Sequence, residues 1–203
     1  PYAGNIGGGG FMVLHLSDGS SYSIDFRETA PLSSTTNMYL DDSLNVVPGM
    51  SMYSADASGI PGTVAGFALA HKRFGRLQWH QLVRPSIKIA NQGFVLDPYT
   101  IDFLNHPFLT QVLSQYDYTK EIFLKESPYL LGDVLIQKDL AKTLQRISVK
   151  GVDGFYKGKT AKMIVETNKK WGGRFTKEDL EKYSAVIREP IVFSYRGYKV
   201  ITM

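Results

Sequence analysis

The sequence predicts an α+β fold, and three observations carry that reading. Strand-like segments stand near both ends of the chain, helical periodicities fill the middle, and nowhere do strand and helix alternate as a parallel sheet would require. The 203 residues, 43% of them hydrophobic, supply enough apolar material for a core.

The elements follow in chain order. Residues 11–16 (Phe-Met-Val-Leu-His-Leu) are an apolar run, Ser17-Asp18-Gly19-Ser20 carries turn chemistry, and Tyr22 to Phe26 alternates in polarity, so together they predict a β-hairpin. Residues 32–58 are rich in Ser, Thr, Asn, Asp and Met with little periodicity and predict a long, partly ordered surface excursion. Ser58 to Thr63 reads as a turn feeding a helix whose apolar face is Val64, Phe67, Ala68 and His71, stopped at Gly75. Leu82, Val83, Ile87 and Ala90 mark the next helix, with Pro85 near its first turns and Gly93 just beyond its end.

Residues 97–116 read as helical or mixed, with Ile101, Leu104, Phe108, Val112 and Leu113 as the apolar set. Leu140, Leu144 and Ile147 keep the helical period up to Gly151, and a helix near 157–170 buries Ala161, Ile164 and Val165 before Gly172-Gly173. Thr176 and Asp179 have the spacing of a capping box, which Phe175 and Leu180 can staple. Ile191 to Tyr195, Arg196-Gly197 and Tyr198 to Thr202 then predict a second hairpin. The chain opens at Pro1 and closes at Met203 directly after this apolar run. Neither reads as a natural terminus, so the expectation is one incomplete domain over residues 1–203, with its helices covering a sheet completed by residues outside this chain.

Composition excludes several function classes. A net charge of +4 is mild, and the densest basic groups, Lys169-Lys170 and His71-Lys72-Arg73, read as solvated faces, so no nucleic-acid partner is expected. No apolar run reaches the length of a transmembrane helix. The absence of cysteine excludes disulfides, thiolate zinc sites and a Cys nucleophile. His15, His71, His80 and His106 lack the spacing of a metal-binding helix, so each is expected to pack in the core or on the surface, and no metal or organic cofactor is implied.

Three segments invite a chemical reading. Gly154 to Thr160 imitates a phosphate loop but has three residues, not four, before its Gly-Lys-Thr, and it follows a helical segment; a turn between helices is the expectation. Gly7 to Gly10 precedes a strand, so it is no dinucleotide fingerprint; it is either a generic turn or a loop near substrate. Asp25-Phe26-Arg27-Glu28-Thr29-Ala30-Pro31 delivers one guanidinium, Arg27, to the end of a strand. Arg27 can pair structurally with Glu28, Asp25 or a distant carboxylate, or it can grip a ligand carboxylate through two parallel N–H···O bonds, which Lys cannot do.

The strings Gly7-Gly8-Gly9-Gly10-Phe11-Met12 and Asp25 to Pro31, followed by Gly59 to Phe67, Ala90 with Gly93-Phe94, Phe155-Tyr156-Lys157-Gly158, Gly172-Gly173 with Thr176 to Leu180, and Tyr195 to Tyr198, resemble the γ-glutamyltranspeptidase family in type and order. The resemblance spans nearly the whole chain. It implies part of the αββα sandwich of an N-terminal nucleophile hydrolase, made as a precursor that cuts itself into a large and a small subunit. The Thr that begins the small subunit attacks the γ-glutamyl amide of glutathione or a related compound, and the γ-glutamyl group passes to water or to an amino acid or peptide amine.

By this resemblance the chain is the inner part of the large subunit, without its two ends or the small subunit, and carries no catalytic residue. Thr29 is internal and is not the nucleophile. Arg27 carries over as the residue that holds the α-carboxylate of the substrate, and Glu28 as support for local structure. The partners implied are a γ-glutamyl substrate such as glutathione and the small subunit of the same precursor, and the place is the periplasm or exterior of a bacterial cell. A cephalosporin acylase, a poly-γ-glutamate-processing relative and a non-catalytic carboxylate-binding module are the alternatives.

Overall fold

In a computed structural model that describes residues 4–203, the chain divides into two compact units, residues 77–149 and the segments on either side of them. Pro1, where the chain opens, lies outside the described residues.

The first unit begins with the expected hairpin. Strands β1 (Phe11–His15) and β2 (Ser21–Asp25) pair antiparallel, Phe11 opposite Asp25 and His15 opposite Ser21. The Asp18 carboxylate closes the turn by accepting the Ser20 N–H at 2.9 Å. A short strand near the end of the unit, Val186–Arg188, adds to the free side of β2, with Ile187 opposite Ile24. It is too short, and too poor in flanking turn residues, to stand out in the sequence.

Helix α2 (Thr63–Phe74) follows the turn at Pro61-Gly62 and ends at Gly75, as its periodicity predicts. Its packing face differs from the expected one. Thr63, Val64 and Gly66 are buried, and Phe67 remains 47% exposed. The difference comes from Phe26, whose ring fills the space over Gly66 and meets the Phe67 ring at a tilt of 59°, 5.8 Å between centroids. At the other end of α2, Phe74 meets Tyr22 at 4.9 Å.

Residues 32–58 form a tied loop. They contain a bridge between Leu40 and Val46, the single helical turn α1 (Met50–Tyr53) and a 3₁₀ turn at Ala55–Ala57. Three polar attachments hold them. The Leu32 N–H donates to Asp179 at 2.6 Å, the Asn168 amide donates to the Ala55 carbonyl at 3.0 Å, and Arg174 pairs with the buried Asp56. Fixation by side chains more than 100 residues away leaves no local periodicity to read.

The rest of the first unit comprises three helices and a hairpin. Helix α8 (Asp153–Tyr156) turns at Lys157 into α9 (Gly158–Lys170), and α10 (Lys177–Lys182) opens with the expected capping box between Thr176 and Asp179. The last hairpin, Ile191–Tyr195 with Tyr198–Thr202, turns at Arg196 (φ 50°) and Gly197 (φ 82°), the twist a two-residue hairpin turn requires.

The second unit is mostly helical. Helix α3 (Trp79–Gln92) starts one turn earlier than its apolar face suggests, because Gln78 and Gln81 cap it reciprocally, so Pro85 lies inside the helix. The stretch expected to be helical or mixed splits into α4 (Pro98–Leu104) and α5 (Pro107–Leu113), since Pro107 cannot continue the helix before it. Helix α6 (Asp117–Phe123) follows, and α7 (Lys138–Lys150) closes the segment. Leu96, Ile101, Leu104, Tyr129 and Leu135 form one core cluster of this unit, joined by Phe94, Leu109 and Phe123. Leu109, not Phe108, turns inward. Two residues on each side, Phe94–Val95 and Val134–Leu135, pair as a minimal ribbon that the sequence does not advertise.

Helices between terminal strand pairs are the α+β arrangement that the sequence predicts. No helix among the described residues is long and apolar enough to cross a membrane.

Candidate functional site around Arg27

The glycine run and the strand that carries Arg27 lie side by side. Gly10 and Phe26 exchange both backbone hydrogen bonds, at 3.0 and 3.2 Å, and so extend the β1–β2 ladder by one rung. The Gly8 carbonyl accepts from Gly62 N–H at 2.8 Å and Thr63 N–H at 3.0 Å, which satisfies donors at the start of α2. Thr29 and Ile60 exchange hydrogen bonds across the next bridge, 2.8 Å for the shorter.

Two glycines make this layering possible. A Cβ on Gly9 would fall on the Phe26 carbonyl and within 2.8 Å of the Glu28 nitrogen. A Cβ on Gly62 would collide with the same carbonyl and with the Tyr183 hydroxyl. The backbone of residues 26–28 is thus sandwiched between chain segments with no side chain in the way. At Gly9 the geometry shows close backbone approach to the segment that carries Arg27.

Arg27 projects from this layer. Its side chain is 63% exposed, and its Nε lies 3.4 Å from the Glu28 carboxylate, a loose ion pair at a solvated surface. The guanidinium carbon sits 5.7 Å from the Phe11 ring centroid, within cation–π range. Asp25 does not compete for it, because the Asp25 carboxylate is engaged by the Arg188 Nε at 2.8 Å and by the Arg27 backbone N–H at 3.0 Å. That backbone N–H, with Arg188, holds the Asp25 carboxyl below the usual carboxylate range against the opposing effect of burial. A guanidinium held at its base, backed by one aromatic ring and loosely paired through Nε, is equipped to receive a planar carboxylate.

The other motifs resolve into structure. The Thr160 hydroxyl donates to the Gly154 carbonyl at 2.7 Å, a buried bond across the turn between α8 and α9, as the helical context of that segment predicts. Thr29 is an internal bridge residue. His15 bonds Ser21 across the hairpin at 2.8 Å.

The description Gamma-glutamyltranspeptidase belongs to a family whose model matches residues 1–203. This chain is a member of that family. It is 45% identical over 204 residues to the glutathione hydrolase proenzyme of Escherichia coli (strain K12) and 44% identical over 209 residues to that of Pseudomonas sp. (strain A14), with all of this chain aligned in both. The chain spans 35% of the length of each of these relatives. Among solved structures, the Helicobacter pylori gamma-glutamyltranspeptidase superposes with a TM-score of 0.94 at 45% identity, over 99% of this chain and 58% of that one. The α+β class and its place among N-terminal nucleophile hydrolases follow from these likenesses.

Two tyrosines that sequence reasoning did not place at the site reach it. The Tyr183 hydroxyl donates to the Arg27 carbonyl at 2.7 Å across 156 residues of chain. Its ring stacks on Tyr156 at 5.8 Å and an interplanar angle of 5°. Tyr156 in turn donates to the Pro61 carbonyl at 2.8 Å and accepts from the Ala65 N–H at 3.2 Å. Only the Phe-Tyr-Lys-Gly string could have flagged Tyr156, and nothing local marks Tyr183.

Proposed function

We propose that this chain is the inner part of the large subunit of a γ-glutamyltransferase and glutathione hydrolase, and that Arg27 holds the α-carboxylate of the γ-glutamyl donor. The observation that carries the reading is the exposed Arg27 guanidinium on a fixed backbone, at the position where the family's string places a carboxylate-binding arginine. The names of the relatives, glutathione hydrolase proenzymes, support glutathione as the donor and a precursor from which a small subunit is cut.

In this reading the nucleophile belongs to that small subunit. Its hydroxyl oxygen attacks the γ-carbonyl, the amine leaves carrying a proton, and the resulting γ-glutamyl ester is cleaved by water or by an acceptor amine. The contribution of this chain is orientation. A bidentate grip on the α-carboxylate fixes the far end of the donor, so the γ-carbonyl meets the nucleophile in one pose. The bacterial relatives support a periplasmic or secreted location, which cell fractionation would test.

The test is Arg27→Lys in the full-length, self-processed protein, with γ-glutamyl-p-nitroanilide as donor. Loss of the fork while the charge remains raises KM by about tenfold or more, in line with a charge-assisted bond. An unchanged KM and kcat/KM would remove Arg27 from the substrate site.

A further inference from the structure

We propose that Tyr183 is a positioning residue for Arg27, its hydroxyl fixing the peptide on which the substrate-gripping guanidinium is mounted; this rests on the reading of Arg27 given above. Both peptide groups that flank the Arg27 Cα are anchored. Its N–H donates to Asp25 at 3.0 Å, and its carbonyl accepts from Tyr183 at 2.7 Å. With these two bonds made, the base of the side chain has little rotational freedom, although the side chain itself is solvent-exposed.

Tyr183 is well placed to act as a fixed post. Its ring lies flat on Tyr156, and Tyr156 is pinned at its own hydroxyl by Pro61 and Ala65, in the turn that opens α2. Gly62 in the same turn lies so close to the Tyr183 hydroxyl that no side chain could stand between them. The stacked pair therefore ties the peptide of Arg27 to α2 through a rigid aromatic bracket, and not through the flexible end of a long side chain. Burial, then the neighbouring carboxylates of Asp25 and Glu28, push the Tyr183 phenol up to about 12, so it remains a donor throughout the neutral range.

The bracket matters because a binding fork must be placed accurately. A displacement of about 1 Å at a positioned group can cost up to about a hundredfold in rate or binding. A loosened Arg27 peptide would let the guanidinium wander while leaving the nucleophile elsewhere in the protein untouched. The cost should then fall on recognition of the α-carboxylate.

The experiment compares Tyr183→Phe, Arg27→Lys and the double variant in the full-length, self-processed protein. Phe keeps the ring and its stack and deletes only the donor. The expected result is a KM for γ-glutamyl-p-nitroanilide raised about three- to tenfold with kcat within about twofold, as the loss of one positioning hydrogen bond predicts. The inhibition constant of L-glutamate should weaken in parallel, and that of 4-aminobutyrate, which is glutamate without its α-carboxylate, should stay unchanged. In the Arg27→Lys background the tyrosine substitution should add less than about twofold, since the group it positions is already altered.

An unmoved KM in Tyr183→Phe beside a raised KM in Arg27→Lys overturns the positioning role and leaves the function of Arg27 standing. Equal weakening of glutamate and 4-aminobutyrate, or full additivity in the double variant, overturns it as well, because Tyr183 would then act on the fold at large. No effect of Arg27→Lys refutes the carboxylate assignment itself, and the positioning role falls with it. Should Tyr183→Phe fail to process or fold, Tyr156→Phe serves in its place: it keeps the stack and loosens the bracket, and it must raise the same KM selectively over the binding of 4-aminobutyrate.

Discussion

Arg174 grips Asp56 with two parallel contacts, Nε to one carboxylate oxygen and Nη2 to the other, and extends Nη1 to the Ser33 carbonyl at 3.3 Å. Asp56 is buried and Arg174 only partly so. The Asp56 carboxylate raises the pKa of the guanidinium further, so Arg174 stays charged. This pair, with the Asn168 and Asp179 attachments, determines the path of residues 32–58.

Removing one partner strands a charge. Arg174→Ala is expected to destabilise the protein by about 2–3 kcal/mol, below the usual cost for a fully buried pair because the arginine side is partly solvated. The loop should become a preferred site of proteolysis at the same time. Thermal unfolding and limited proteolysis measure the two effects. Removing Asp56 as well should restore part of the loss, since no unpaired carboxylate then remains. A double variant less stable than Arg174→Ala alone would show that the stranded charge is not what costs the stability.

Gly9→Ala tests the layering beneath Arg27. The new methyl has to displace the Phe26 carbonyl and the Glu28 backbone, so overpacking should cost about 1–3 kcal/mol. Since the displaced strand carries Arg27, KM for the γ-glutamyl donor should rise along with the loss of stability. Gly7→Ala is the control: its Cβ meets only the Asn5 side-chain oxygen, at 3.2 Å, which can move aside. Equal behaviour of the two variants in unfolding and in KM would mean that the run tolerates side chains generally and that close approach at Gly9 is unimportant.

What the sequence makes legible is local. Both hairpins announce themselves, because turn residues such as Asp18, Gly19 and Gly197 stand between strand-like runs. The α10 cap is legible because Thr176 and Asp179 stand three residues apart. Elements defined by distant partners are not. Val186–Arg188 is a strand only because β2 offers it an edge, and residues 32–58 are ordered by Arg174, Asn168 and Asp179. At the site, the ordered family strings point to Arg27, but neither the commitment of Asp25 to Arg188 nor the reach of Tyr183 across 156 residues leaves a trace in local pattern.

Asp179 makes a prediction about acid stability. Burial pushes its carboxyl up, but hydrogen bonds from the Leu32 N–H at 2.6 Å and from the Thr176 hydroxyl and N–H at 2.6 and 2.7 Å outweigh that effect and hold it below the usual range. In the folded protein it therefore gives up its proton at lower pH than in the unfolded chain, whose Asp groups titrate near about 3.9. Its contribution to stability is present in full above that pH and is lost as pH falls through the lower folded value. Asp179→Asn removes this linkage together with the charged acceptor of the α10 cap and of Leu32. The variant should be less stable than wild type at neutral pH, and the gap should narrow below about pH 4, where the wild-type carboxylate is itself being protonated. Asp25, also held low, leaves some acid sensitivity in both proteins. Unfolding midpoints measured from pH 7 down to about pH 3 decide the matter, since a gap that stays constant across that range would mean that Asp179 acts through shape alone and not through its charge.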